Sequence, residues 1–515
     1  MLAAMPSLST SIRFGFLSLL HLVLLFGTHS ALAEAKASAP LLPRGLITKE
    51  AGVAPGYVLF GPILSDRTYL IDNDGRVIHE WKSAYSGSGG YLLPNGNLLR
   101  TGRDPDALHF RAGGVSGIVQ EIAWDGTVVW EWRLSDRNKI LHHDIAPLPN
   151  GNILAIAWEV KTQQEALRVG RRADTVPEQG LHPDFVLEIR PLPPDDASIV
   201  WEWHVWDHLV QNQDPKAPDY GEPAEHPGRL DINALAAAPN LSAKELERLK
   251  ALGYMPPDAK LQDLDSDFLH INSIDYNATL DQFVLSVPEL GEIWIVDHST
   301  TTAKARGSSG GRAGRGGDLL YRWGNPAVYG RGVLSSQRLF YQHDARWIPD
   351  GFPGAGDLTI FNNGRNRTDG GPSTVEQIAA PLRSDGRYTL ESGKAYGPTA
   401  LAWSWALPLD RFAPFISGAE RQPNGNTLVC SGPGGILLEV SAEGRIVWEY
   451  RNPFSGDVRL ADGSPPQPVG GEKPYAVFRA SRIAPDHPAL RDRKLMPIDP
   501  QPAWHSPALA PPSPG

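Results

Sequence analysis

The sequence predicts an all-β fold, a six-bladed β-propeller with a partly helical insertion between blades, on three observations. A short aromatic strand is written six times. A Pro-Asn-Gly-Asn turn alternates with it. The chain also holds 52 glycines, 46 prolines and 15 tryptophans in 515 residues, which is the composition of many short strands and tight turns. Such a length suggests about three domains, but propellers grow by repetition and use it in one.

The strand copies are VIHEW (Val77 to Trp81), VVWEW (Val128 to Trp132), IVWEW (Ile199 to Trp203), LLYRW (Leu319 to Trp323), LAWSW (Leu401 to Trp405) and IVWEY (Ile446 to Tyr450). Three of them follow an Asp-Gly or Glu-Gly pair, at Asp74-Gly75, Asp125-Gly126 and Glu443-Gly444, the mark of a tight hairpin. The turn unit reads YLLPNGNLL from Tyr91, PLPNGNIL from Pro147 and RQPNGNTL from Arg421, with degenerate copies around Tyr276, Pro349 and Pro485. In it, Pro fixes φ and Asn-Gly supplies the positive φ values. The last turn unit has no tryptophan strand after it, and the first tryptophan strand has no turn unit before it. The C-terminal strand is therefore expected to complete the blade begun near Tyr57, closing the ring and removing its edges.

With the copies lined up on the Pro of each turn (Tyr276 in the fourth), the residues six positions earlier are Ser88, His143, His270, His343, Ser417 and Arg479. Equivalent positions on innermost strands share one height and converge on the axis. Three histidines and an arginine then meet from four blades. Neutral imidazole serves as nucleophile, base or metal ligand, its protonated form binds anions, and guanidinium adds a fork of donors for a tetrahedral oxyanion. Singly, each histidine reads as a packed strand residue; three at one register read as a site. Asn272, two residues after His270, and Asn362, Asn363 and Arg365, after the strand of the His343 blade, are candidate further donors. His142 alternates with His143 and faces the other side of its strand, unless a bulge exchanges the two. Asp144 and Asp344 either orient the histidines beside them or pair with backbone. His204 and His208 have i,i+4 spacing without a third ligand in a recognisable pattern, so no metal or other cofactor is expected.

Residues 1–33 have the form of a signal peptide: Arg13, an apolar run from Phe14 to Phe26, then Ala31-Leu32-Ala33 for cleavage. The run is shorter than the roughly 20 residues that span a bilayer. A periplasmic or secreted protein is expected, with a linker at 34–55, the propeller at 56–496 and a disordered Pro-rich tail at 497–515. Between the third and fourth blades an insertion at about 204–267 contains LSAKELERLKALGY, a helix with Ser242 and Glu245 as capping box and Gly253 as stop, placed to cover one channel mouth. Residues 303–317 are of low complexity and expected to form a mobile loop. The single cysteine, Cys430, excludes an intramolecular disulfide, and the net charge of -10 argues against nucleic acid as a partner.

The segments LHHDIAPLPNGNIL, LHINSIDYN, EIWIVDHSTTTA, LLYRWGNP, YQHDARWIPDG and SGAERQPNGNTL, in that order, resemble the bacterial arylsulfate sulfotransferase family from about Gly56 to Asp486. The resemblance implies an exported six-bladed propeller that moves a sulfuryl group from a phenolic sulfate ester to a phenol, without a nucleotide sulfate donor, by ping-pong through a sulfohistidine. His343 matches the nucleophile, and His143 and His270 match the histidines that hold the sulfate and assist the phenol oxygen. The family's arginine lies on the strand after the second histidine, where this chain has LSVPELGEIW with Pro288 and Glu289. Arg479, reached through the repeat, takes its place, with Arg365 second. Two other classes are a non-catalytic propeller of the periplasm that binds a ligand or partner at the channel mouth, and a quinone-dependent dehydrogenase. The second would call for eight repeats and adjacent cysteines, against six repeats and one cysteine here.

Overall fold

The computed structural model describes residues 43–502 apart from 108, 111, 235–241, 252–254, 256–257, 262–265 and 457–474. Six antiparallel sheets form the propeller. From the axis outwards, blade 1 is Val477–Ile483, Tyr57–Pro62, Ser65–Asp72 and Val77–Gly87. Blade 2 is Gly90–Leu92, Leu98–Arg103, Gly117–Ile122 and Val128–Arg133. Blade 3 is Lys139–Pro147, Ile153–Glu159, Asp184–Leu192 and Asp196–His204. Blade 4 is Ser273–Asn277, Gln282–Val287, Glu292–Asp297 and Tyr321–Trp323. Blade 5 is His343–Trp347, Leu358–Asn362, Thr374–Ile378 and Trp403–Ala406. Blade 6 is Gly418–Arg421, Thr427–Ser431, Ile436–Val440 and Ile446–Arg451. The ring closes as expected, with Tyr57 opposite Ile483 and Phe60 opposite Ala480.

The repeated tryptophans do two jobs. Their rings fill the space between blades, and Trp81, Trp130, Trp203 and Trp448 are essentially inaccessible to solvent. Apart from that of Trp81, which is buried without a hydrogen-bond partner among the described residues, the indole N–H groups donate across to the next blade: Trp130 to the Asp196 carbonyl (2.8 Å), Trp203 to Gly317 (2.8 Å), Trp405 to Gly444 (3.0 Å) and Trp448 to Asn73 (3.0 Å). The Asn-Gly-Asn turns are tied down in a comparable way. Asn95 and Asn97 both donate to Glu121 (3.1 and 2.6 Å), Asn150 and Asn152 to Glu188, and Asn426 to Glu439 (2.6 Å), so each turn is pinned to the third strand of its own blade.

Outside the ring the structure departs from expectation in three places. Within the stretch read as a linker, Gly45–Lys49 adds a fifth strand to blade 6, pairing Gly45 with Arg451, because the outer strand there offers an open edge. The low-complexity segment 303–317 is folded around the Asp297 carboxylate, which accepts the N–H groups of Ser299 (2.9 Å) and Ala313 (2.9 Å), and the left-handed Gly310 and Gly311 let the chain wrap it. At the start of the tail, Ile498 donates to the Val77 carbonyl (3.0 Å) and Gln501 accepts from the Val77 N–H (2.8 Å). The expected leader at 1–33 and the tail beyond residue 502 lie outside the described residues.

The insertion carries the helix Ala243–Ala251, entered through the Ser242 and Glu245 capping box, and its Leu246 is buried with Met255 and Ala259. Its predicted stop, Gly253, lies outside the described residues. His204 bonds Glu159 (3.0 Å), and His208 bridges Asp318 (2.9 Å) and the Ala305 carbonyl (2.7 Å), so both hold the insertion to the blades. Among the described residues no group of three or more His, Cys, Asp or Glu side chains is placed to hold a metal ion. No helix among them is long and apolar enough to cross a membrane.

Candidate active site

The inner-strand ends are built from unusual backbone. His143 (φ 50°), His270 (55°), Tyr341 (60°), Asp344 (54°), Ile416 (45°) and Ser417 (92°) are all left-handed without being glycine. Each such residue costs on the order of 1–3 kcal/mol, and clustering of this strain marks sites whose side chains must be aimed. At His143 the strand also breaks register with its neighbour, between Ala155 and Ala157, and at His343 the register shifts before Arg346. The bulges turn both imidazoles toward the axis. His142 is left behind His143 at 0 % exposure, stacked flat on Trp158 (3.8 Å between centroids, 12°), so it does not line the channel.

The rings of His143 and His270 meet edge to face, 4.5 Å apart. Phe478 lies 6.3 Å from His143 and 6.4 Å from His343, and Tyr341 lies 6.4 Å from His270 and 6.0 Å from His343. Three histidines from blades 3, 4 and 5 thus share one small chamber beside Phe478 and Tyr341. Gly114 packs against this arrangement. Its carbonyl accepts the His143 N–H (2.7 Å), and a Cβ added there would sit 2.2 Å from two ring atoms of His143. Gly114→Ala is expected to push the His143 ring out of place and lower turnover at least tenfold, since about an ångström of misplacement costs that much or more. Steady-state assay alongside a melting curve checks it.

The imidazoles do not share one charge state. His270 bonds Asp267 through Nδ1, and although burial works against its proton, the Asp267 carboxylate outweighs that and holds the ring charged above the usual histidine range. Burial pushes His343 down to about 4, and burial with the neighbouring imidazoles pushes His143 well below the ordinary value. One cation therefore stands beside two neutral rings, a division suited to one group binding an anion while another attacks it. His343 Nδ1 lies 2.9 Å from Asn363 Oδ1 and 3.2 Å from the Tyr341 carbonyl, both acceptors, so Nδ1 carries the hydrogen and Nε2 the lone pair. That lone pair accepts the Ile416 N–H at 3.1 Å.

The other sequence-derived donors divide. Asn363 orients His343 and spends its own N–H groups on the Ala413 and Ile416 carbonyls (2.7 and 2.8 Å). Asn272 donates to the Gln342 carbonyl (2.9 Å), and Asn362 bonds Phe340, Arg338 and Glu376, so both brace strands. Arg479 lines a small cavity together with His143, Phe478 and Tyr91, but its donors are committed. It donates to Asp144 (2.8 and 2.5 Å), to Asp344 (3.0 Å) and to the Tyr91 hydroxyl (2.6 Å). The same aspartates accept backbone N–H groups of the following blades, Ile274 onto Asp144 (3.1 Å) and Ala419 onto Asp344 (3.0 Å), which decides their role as inter-blade staples. Arg365 sits over the Tyr341 ring (4.6 Å) and 3.9 Å from Glu245 of the insertion helix, which brings the insertion to this end of the channel.

A family model described as Arylsulfotransferase (ASST) matches residues 59–316, half of the chain. The chain belongs to the arylsulfotransferase family. Membership supports arylsulfotransferase activity in general. No curated protein matches the chain. Among solved structures it is similar to a protein of unknown function from Bacteroides caccae (10% identity, TM-score 0.40, covering 77% of this chain and 94% of that one). It is also similar to a putative 6-phosphogluconolactonase from Bacteroides fragilis (12% identity, TM-score 0.36, covering 79% and 98%).

For an arylsulfotransferase, the residues that sequence reasoning missed are Asp267 and Tyr341, and Glu289 was named only as standing where the family's arginine lies. Asp267 stands three residues before His270, a spacing that could have been read as a turn closing on the ring. Glu289 is held near Tyr341, Arg365 and His270, and burial raises its carboxyl above the usual range.

Proposed function

We propose that the protein moves a sulfuryl group from a phenolic sulfate ester to a phenolic acceptor by ping-pong, through a sulfuryl group carried on His343 Nε2. The supporting observation is the unequal trio: a charged His270 fixed by Asp267, beside neutral His143 and a His343 whose hydrogen is held on Nδ1 by Asn363. In the first half-reaction the His343 Nε2 pair attacks sulfur and the phenoxide leaves. His270 offsets charge on the sulfuryl oxygens, and the Ile416 N–H, freed from the lone pair, turns to a sulfuryl oxygen. In the second, the acceptor phenol oxygen attacks sulfur, its proton passes to neutral His143, and the N–S pair returns to Nε2. No nucleotide donor enters either step. We place the activity outside the cytoplasm, on the form of residues 1–33.

The test is incubation with 4-nitrophenyl sulfate in the absence of acceptor. Release of one nitrophenolate per chain with an acid-labile sulfuryl adduct mapped to His343, discharged on adding phenol, is expected. Release without any histidine adduct would remove the covalent route. A second reading, ligand binding without turnover, is favoured by the Ile416 N–H on the His343 lone pair, and it predicts tight binding of the ester with no release.

A further inference from the structure

We propose that Asp184, acting through His142, is a positioning residue that sets which nitrogen of His143 carries a proton and takes up that proton at the far end of the chain. The proposal rests on the transfer reading above. The three groups lie in line behind the channel wall of blade 3. Asp184 opens the third strand, opposite Trp158 of the second, and Trp158 is the ring on which His142 stacks. His142 Nδ1 is 2.8 Å from His143 Nδ1, so one must donate and the other accept. His142 Nε2 is 3.1 Å from Asp184 Oδ1, and both side chains are 0 % exposed. Among the described residues neither His142 Nε2 nor Asp184 Oδ2 has a hydrogen-bond partner, and the His142 ring also lies against the Ala157 backbone. An unpaired imidazole nitrogen this close to a buried carboxyl with one unpaired oxygen calls for an explanation, and a small ring rotation that shares a proton between His142 Nε2 and Asp184 supplies one.

The chain has two fillings. In the first, Asp184 is a carboxylate, His142 carries its hydrogen on Nε2, His143 carries its hydrogen on Nδ1, and His143 Nε2 presents a lone pair. In the second, Asp184 is a carboxylic acid, His142 is protonated on Nδ1, and His143 Nε2 presents an N–H. They differ by one proton, and both imidazoles are neutral in each. When a phenol attacks the sulfuryl group on His343, the O–S bond forms, the N–S pair returns to His343 Nε2, and the phenol proton passes to His143 Nε2. The Nδ1 hydrogen of His143 moves to His142, and the Nε2 hydrogen of His142 moves to Asp184. When the next ester is cleaved the shift runs backwards and the departing phenoxide takes the proton from His143 Nε2.

The surroundings explain why a relay suits this site better than a lone imidazole. Protonating His143 outright would set a second cation 4.5 Å from charged His270, with His142 and His343 also facing it. Burial, then Asp267, push the Asp184 carboxyl well above the usual range, so a proton is held there without adding charge beside the substrate. The Ile271 N–H on Asp184 Oδ1 (3.2 Å) keeps the carboxyl in place.

The decisive measurement is the first-turnover release of phenol from phenyl sulfate and of nitrophenol from 4-nitrophenyl sulfate, without acceptor, in wild type and Asp184→Asn. Nitrophenolate leaves without a proton and phenoxide does not. Asp184→Asn is expected to slow phenyl sulfate about 100-fold and 4-nitrophenyl sulfate less than about 3-fold. It should also flatten the pH profile for phenyl sulfate. Equal slowing of both esters would overturn the relay. Should Asp184→Asn melt early, His142→Phe keeps the stack on Trp158 and cuts the same chain, with the same two expected ratios. Absence of release from either ester in the wild type would instead remove the transfer reading, and the relay with it.

Discussion

Arg479→Met is expected to lower stability by about 3–5 kcal/mol, the cost of leaving a buried charge without its partner. Arg479 is the only side chain that bonds both Asp144 and Asp344 among the described residues, and both aspartates are 3 % exposed. Methionine fills much of the volume and supplies no donor, so Asp144 loses both of its arginine contacts and Asp344 keeps Arg346 alone (2.8 Å). Urea denaturation at neutral pH, compared with wild type, checks the size of the effect. Its pH dependence has a definite sign. Although burial raises it, Asp344 is held below the usual carboxylate range in the folded chain by Arg346 and Arg479. That contribution is present above the unfolded carboxyl pKa and lost as pH falls through the folded one, so the gap between variant and wild type should narrow in acid. A stable variant with weakened donor binding would instead make Arg479 a sulfate ligand.

His343→Ala is expected to cut turnover by about 1,000-fold or more, as removal of a covalent nucleophile does when neighbouring groups act with it as a unit. The fold should survive, because the direct structural losses are the hydrogen donated to Asn363 Oδ1 and the Ile416 N–H accepted at Nε2, each on the order of 1–3 kcal/mol for a buried group left unpaired. Turnover and thermal melting measured on the same preparation separate the two effects. Activity within tenfold of wild type would move the covalent step to another residue.

The repeat made the architecture legible because its copies answer physical demands that recur from blade to blade: an indole N–H reaching the next sheet in most blades, and in blades 2, 3 and 6 an Asn-Gly-Asn turn with a glutamate to bind. It also found His143, His270 and His343, which the structure brings into one chamber. What it could not supply was the partner of each inward side chain. Arg479 shares the register count and its strand also bulges, at Phe478 and Arg479, but its guanidinium is taken up by Asp144 and Asp344. His142 was legible only as one of two alternatives, because the count does not register a bulge. Asp267 and Asp184 lie outside the inner strands altogether, so no alignment of turns could reach them, and their importance arises from burial against imidazoles brought together by the closed ring.

Closure by Val477–Ile483 has a temporal consequence. This strand supplies both the inner edge of blade 1 and, through Arg479, the cation that neutralises Asp144 and Asp344. Every earlier strand leaves the ribosome before it. Blades 2 to 6 can form as local hairpins while synthesis proceeds, but until this strand arrives Asp144 has no arginine partner and Asp344 has Arg346 alone. Assembly of the core around the axis is thereby held back until residues 477–483 emerge, and a nascent chain arrested before residue 477 should remain sensitive to protease across its inner strands.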